Sequence, residues 1–192
     1  VTTSLLDAPA AVPGWFHHGT QILALLEEHQ PRICVELGTF LGASAIPVAL
    51  AVQRWRGVLT CIDTWSDNIY QAGPPSPWLL VGCARNLVAA GVSNVRLMPT
   101  TTREAARTWS EPIDYLYVDA DHHEAAVLAD LDAWVPHVRP GGVIAGDDYG
   151  NPAFPGVARA WDAFERAHGL TLTRYQSTPP HPDGVQLIYG TV

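Results

Sequence analysis

The chain has 192 residues, 47% of them hydrophobic, with 11 Lys and Arg against 19 Asp and Glu and a formal net charge of −8. That length suits a single α/β unit with an ample core, and an acidic surface argues against a nucleic-acid backbone or an anionic membrane as the main partner. No apolar run approaches the roughly 18 residues of a membrane helix, and VTTSLLDAPAAVPGW at the front lacks the basic and apolar regions of a secretion signal.

In chain order, RICVEL (32–37) reads as a buried strand from its continuous apolar character. Ser44 can cap a helix over 45–56, with Pro47 tolerated in the first turn. GVLTCID (57–63) is a second strand. The segment TWSDNIYQAGPPSPW (64–78) follows its carboxyl end, the ligand-binding edge of such sheets, and is predicted to be part of a substrate lid. Ser76-Pro77 opens a helix that ends before Gly91. NVRLM (94–98) is the third strand, 102–109 a short helix, and IDYLYVD (113–119) the fourth strand. Asp121 and Glu124 form a D-x-x-E capping signal for a helix reaching 138, stopped by Pro140-Gly141-Gly142. GGVIAGD (141–147) is the fifth strand. A helix over 156–168 ends at Gly169, and 170–175 with 184–190 closes the chain as a hairpin. The pattern predicts one α/β domain over 1–192: a doubly wound, Rossmann-like, seven-stranded, mostly parallel sheet with a C-terminal antiparallel hairpin. Residues 1–18 form an N-terminal arm. Cys34, Cys61 and Cys83 are odd in number, lack metal-type spacing and read as reduced, buried residues of a cytoplasmic protein.

Two constellations carry chemistry. In VELGTFLG, Glu36 precedes Gly38 at a strand-to-helix turn, where a glycine lets the backbone approach a ligand. Asp63 ends the second strand, where an acid can accept both hydroxyls of a ribose. The turn is not G-x-G-x-x-G. It favours an adenine nucleoside without a pyrophosphate and with a cationic amino-acid end, and S-adenosylmethionine has both. An ordinary tight turn is the alternative.

The second constellation is acidic. Asp119 ends the fourth strand, and Asp147 and Asp148 end the fifth, so neighbouring strands would gather three carboxylates in one cleft. Such a group calls for a cation, and hard oxygen ligands suit Mg2+, with Mn2+ or Ca2+ as alternatives. The competing explanation is turn chemistry, in which aspartate is common. His122, three residues past Asp119 at the start of the expected helix, can take a proton near neutral pH. His123 would point about 100° away around the helix, and Asp121 reads as a cap. His17 and His18 read first as surface or capping residues, with reach into the cleft from the arm as the alternative.

VELGTFLG, CIDTW, VDADH and RPGGVIAGDDY resemble the class I S-adenosylmethionine-dependent methyltransferases. The closest group is the metal-dependent O-methyltransferases of the catechol and macrolide-sugar type. The resemblance implies that Glu36 and Gly38 line the methionine side of the cofactor and that Asp63 holds its ribose. It places Thr102 near the adenine, although PTTTREAA departs from the usual glycine-containing loop. Trp65 would stack on the adenine, roof the substrate or pack as a buried aromatic. Asp119, Asp147 and Asp148 would hold the ion, and His122 stands at the offset of the family's base. The implied function is Mg2+-assisted methyl transfer to a hydroxyl of a small molecule, a natural product or a sugar. A metal-independent methyltransferase and a non-catalytic nucleoside-binding module are the alternatives. Relatives often cover the acceptor with a longer N-terminal region, so a homo-oligomer in which a second subunit completes the site is an open expectation.

Overall fold

A computed structural model describes residues 12–66, 76–177 and 182–192. Residues 1–11 of the arm, 67–75 of the expected lid, and His181 lie outside the described residues. The strands are β1 (Ile33–Leu37), β2 (Val58–Asp63), β3 (Val95–Pro99), β4 (Ile113–Val118), β5 (Val138–Tyr149), β6 (Thr173–Tyr175) and β7 (Gln186–Thr191). The helices are α1 (Gly19–His29), α2 (Ala45–Gln53), α3 (Pro77–Ala89), α4 (Thr102–Thr108), α5 (Glu124–Trp134) and α6 (Pro155–His168). They build a seven-stranded sheet in the order β3-β2-β1-β4-β5-β7-β6. Its first five strands run parallel, and β7 pairs antiparallel with both β5 and β6. The expected Rossmann-like sheet with a terminal hairpin is the fold.

Side chains alternate across each strand, and both faces are buried. Cys34, Cys61, Tyr115, Tyr117, Val143 and Ala145 pack with α1, α2 and Cys83 of α3. Val35, Leu37, Ile62, Leu116, Val118 and Ile144 pack with α4, α5 and α6. This double burial makes the strands read as unbroken apolar runs rather than as alternating ones. Register brings Leu37 level with Ile62 and Val118, and Val118 level with Gly146. The residues that follow at the carboxyl edge, Gly38, Asp63, Asp119 and Asp147, are therefore aligned by the sheet itself. Among the described residues no helix is long and apolar enough to cross a membrane.

Three local expectations give way. The Asp121–Glu124 capping box does not form. Helix α5 begins at Glu124, with His123 at the cap position, and Asp121 instead accepts from the His123 backbone N–H at 2.7 Å. The capping box belongs to Thr101 and Glu104 at the start of α4. Ser44 makes no cap for α2, because its hydroxyl is donated to Glu36. Helix α5 ends at Trp134, a 3-10 turn covers Val135–His137, and β5 already starts at Val138. Pro140-Gly141-Gly142 thus lies within an irregular strand start rather than ahead of it.

Candidate active site

The loop after β1 is closed from inside the protein. Gly38 has φ +82°, and a Cβ there would overlap the carbonyl of Asp119. The position therefore excludes any side chain on two grounds, backbone conformation and contact. Asp63 accepts the Thr39 and Phe40 N–H groups on Oδ2 at 2.9 and 2.8 Å, and the Trp65 N–H on Oδ1 at 2.7 Å. Trp65 is buried, and its indole N–H donates to the Phe40 carbonyl at 2.7 Å. Of the three roles open to Trp65, the described contacts are those of a buried brace under the loop.

Glu36 is 1% exposed. It accepts from Ser44, from the Thr39 hydroxyl at 2.8 Å and from the Cys61 thiol at 3.6 Å. Burial pushes its carboxyl up to about 7, against the pull of those hydrogen bonds. Thr102, expected near the adenine, has its described contacts in the α4–α5 packing: its hydroxyl is donated to Asp130 of α5, and its carbonyl accepts the Trp134 indole N–H at 3.1 Å.

One strand pair away, Asp119, His122 and Asp148 offer ligand atoms that all lie within 4.8 Å of one another. His122 Nε2 is 2.8 Å from Asp148 Oδ2 and 3.7 Å from Asp119 Oδ1. His122 precedes α5 and so is not the first-turn helical residue the sequence suggested. His123 is exposed, and its ring meets Asp121 at 2.7 Å. The helical argument for separating the two histidines is replaced by these two different partners.

Asp147, the third residue expected to hold the ion, is not in that group of ligand atoms; it accepts the Tyr117 hydroxyl at 3.2 Å and the Asp148 N–H at 2.8 Å, and its charge still acts on Asp119. His18 Nε2 lies 3.8 Å from Asp147 Oδ1, so the arm does reach the edge of the site. A cavity of about 110 Å3 beside it is lined by His17, His18, Thr20, Gln21, Tyr175 and Ser177.

The electrostatics of the group are those of crowded carboxylates. Burial raises the Asp119 carboxyl, and Asp147 and Asp148 push it further against the opposing pull of His122. Burial also disfavours charge on Asp148, but hydrogen bonds from His122 and Asn151 outweigh it and hold that carboxyl below its ordinary value. Burial would lower His122. The hydrogen bonds to Asp119 and Asp148 more than offset it and raise the imidazole to about 10. These carboxylate partners hold His122 above the near-neutral range expected of it. The two carboxylates, Asp119 and Asp148, could hold a divalent cation through hard oxygen ligands, with the His122 imidazole beside them as a group able to exchange a proton.

Several participants carry no signal in the sequence. Thr39 and Ser44 serve Glu36, Tyr117 serves Asp147, and Asn151 and Phe154 serve Asp148 and His122. NPAF after DDYG reads only as a turn, and nothing in its spacing shows that it folds back onto the β4 edge.

Comparison with known proteins places the fold and the family. Residues 35–149 match a family model described as a methyltransferase domain. An uncharacterized protein of Sinorhizobium fredii, y4gI, is 29% identical over 150 residues; these are 73% of this chain, and the chain spans 16% of that relative's length. Among solved structures, a putative caffeoyl-CoA O-methyltransferase from Staphylococcus aureus superposes with a TM-score of 0.72 at 14% identity, covering 94% of this chain and 86% of that one. The O-methyltransferase from Bacillus cereus in complex with SAH gives 0.70 at 18% identity, over 100% of this chain and 90% of that one. TomG from Streptomyces achromogenes, an O-methyltransferase involved in tomaymycin synthesis and solved with SAM, gives 0.68 at 19% identity, over 100% and 89%. A family match running from the second residue after Ile33 to the end of β5 takes in both the glycine loop and the acidic group, and the chain belongs to the methyltransferase-domain family.

Proposed function

We propose that the protein is an S-adenosylmethionine-dependent O-methyltransferase that uses a divalent cation to methylate a hydroxyl of a small molecule, such as a natural product or a sugar unit. The observation that carries this reading is the convergence of Asp119, His122 and Asp148 at the edge where Gly38 touches Asp119. The convergence supports a proton acceptor and a cation cradle beside the loop of a methyltransferase fold. S-adenosylmethionine supplies an electrophilic methyl group, and a divalent cation supplies Lewis acidity that lowers the pKa of a bound hydroxyl.

The chain's own residues divide the remaining work. Glu36, held by Ser44 and Thr39, keeps a carboxyl at the methionine end of the cofactor pocket, and Asp63 fixes the loop on which the ribose rests. Asp119 and Asp148 would hold the cation, with Asp147 bonded to Tyr117 and to the Asp148 N–H next to them. His122 accepts the hydroxyl proton at Nε2 in the state where Asp119 and Asp148 no longer hold a proton on that nitrogen. The three free cysteines are all buried, in keeping with a reducing, cytoplasmic setting.

Transfer of a labelled methyl group from S-adenosylmethionine to ortho-diphenol and sugar acceptors tests the reading, with Mg2+ or excess chelator present. Methyl ethers formed only with the cation support it. Tight NAD binding with no response to S-adenosylhomocysteine would overturn the cofactor assignment. A metal-independent methyltransferase is the second reading. It is favoured by the hydrogen bonds from His122 and Asn151 that already satisfy Asp148, and undiminished transfer in chelator would establish it.

A further inference from the structure

We propose that Asn151 and Phe154, in the turn joining β5 to α6, are positioning residues that set the Asp148–His122 pair. The assignment rests on the reading of His122 as the proton acceptor. Contacts from one short segment converge on that pair. The Phe154 ring stacks on the His122 imidazole with centroids 4.2 Å apart and planes inclined by 16°. Asn151 donates its amide N–H to Asp148 Oδ1 at 2.6 Å, which leaves Oδ2 as the oxygen facing His122. A Cβ on Gly156 would lie 2.6 Å from Glu124 N and 2.9 Å from the His122 carbonyl. Glycine there lets the start of α6 press against the backbone that carries His122.

The need for such a clamp follows from where His122 sits. It lies ahead of α5, so no helical turn restricts its side chain. The χ2 torsion of a histidine is broad and roughly two-fold, and a single polar contact would leave the ring free to swing. Stacking on a flat aromatic face confines it to one plane and keeps Nε2 toward Asp148. Asp148 has a comparable problem. It adopts φ +57°, unusual for a residue other than glycine, and its carboxylate orientation depends on the Asn151 amide. The Asn151 side-chain Oδ1 also accepts the Ala153 N–H at 2.9 Å, so one side chain builds the turn and aims the carboxylate. Asn151→Ser separates these roles, because a serine hydroxyl can still accept from Ala153 but is too short to reach Asp148.

The test uses the full chain saturated with S-adenosylhomocysteine and labelled in its histidine rings, with His122 assigned through His122→Gln. Stacking predicts His122 ring protons shifted upfield by the Phe154 ring current. Phe154→Leu should abolish that shift and broaden the resonances, and Phe154→Tyr should keep it. With Mn2+ as probe, Asn151→Ser should weaken ion binding by roughly 10–100-fold, leaving S-adenosylhomocysteine affinity unchanged. Unmoved His122 resonances in Phe154→Leu overturn the Phe154 assignment, and wild-type Mn2+ affinity in Asn151→Ser overturns that of Asn151. A wild-type protein that binds no Mn2+ refutes the metal reading together with the Asn151 half, and the ring shift alone then decides Phe154. Full turnover by His122→Ala refutes the proton-acceptor reading, whereas loss of the ring shift in Phe154→Leu would still show the clamp.

Discussion

Gly38 and Asp119 meet backbone to backbone: the glycine at φ +82° leaves no room for a Cβ against the Asp119 carbonyl, while the Asp119 N–H donates to Leu37 at 2.9 Å. The loop expected to hold the cofactor and the strand end expected to hold the cation are therefore one mechanical unit. Gly38→Ala must separate them. Adding a Cβ to a packed site costs about 1–3 kcal/mol, and a left-handed conformation adds roughly 1–2 kcal/mol. Urea unfolding should show a loss of about 3 kcal/mol, and S-adenosylhomocysteine binding should weaken with it. A variant as stable as the wild type would show that the two segments do not press together.

Glu36 makes stability depend on pH in an unusual direction. Burial raises its carboxyl from 4.5 to about 7 in the folded protein. The folded state binds this proton more tightly than the unfolded state does. Its contribution is fully present below pH 4.5 and is lost as pH rises through 7. The loss amounts to about 3 kcal/mol at most. Glu36→Gln cannot ionise, so its stability relative to wild type should rise between pH 5 and pH 8, the working range of about those values. Parallel unfolding curves for the two proteins across that range would refute the buried, neutral acid.

The proposed cation site gives an ordered series. Asp119→Ala and Asp148→Ala remove members of the group and should weaken Mn2+ binding, read by calorimetry, by more than about 100-fold. Asp147→Asn acts through Tyr117 and the Asp148 N–H. It should cost less, roughly 10–100-fold, as expected of an outer partner. A larger loss for Asp147 than for Asp148 would mean that the aspartates exchange places when the ion binds.

His122→Ala should lower kcat by roughly 100- to 10,000-fold, whereas His123→Ala should be nearly silent, since that ring is turned to Asp121. Without a cation, the His122 imidazole is raised from 6.5 to about 10 in the folded protein. It therefore stabilises the fold fully below pH 6.5, and that contribution is lost as pH rises through 10. In excess chelator, the stability advantage of wild type over His122→Gln should shrink across this range. An advantage that grows with pH would contradict the imidazolium.

Thr102→Val tests the reassignment of Thr102 to packing. The buried Asp130 carboxyl would lose its hydroxyl donor, at a cost of about 1–3 kcal/mol for a polar group left unsatisfied. Cofactor affinity should not change. A large rise in the S-adenosylhomocysteine dissociation constant without loss of stability would return Thr102 to the cofactor pocket.

The order of strands and helices, the parallel sheet and the terminal hairpin are written in the sequence, because doubly buried strands must be continuous apolar runs and their connections need capped helices. The same logic placed Glu36, Gly38, Asp63, Asp119, Asp147 and Asp148 at strand ends, where a parallel sheet gathers its ligand-binding residues. What each of these side chains touches was decided only by the folded chain. Asp148 leaves the strand conformation at φ +57°, and the adjacent aspartates serve different partners, Tyr117 for Asp147 and His122 for Asp148. The T-x-x-E at 101–104 won the capping box that D-x-x-E at 121–124 did not, because Asp121 is held by His123 in a loop. The partners of His122 come from β4, β5 and the start of α6, up to 32 residues apart in the chain from Phe154. No local pattern encodes such a meeting. It exists because the sheet register brings those strand ends together and because Gly38 and Gly156 let their backbones touch.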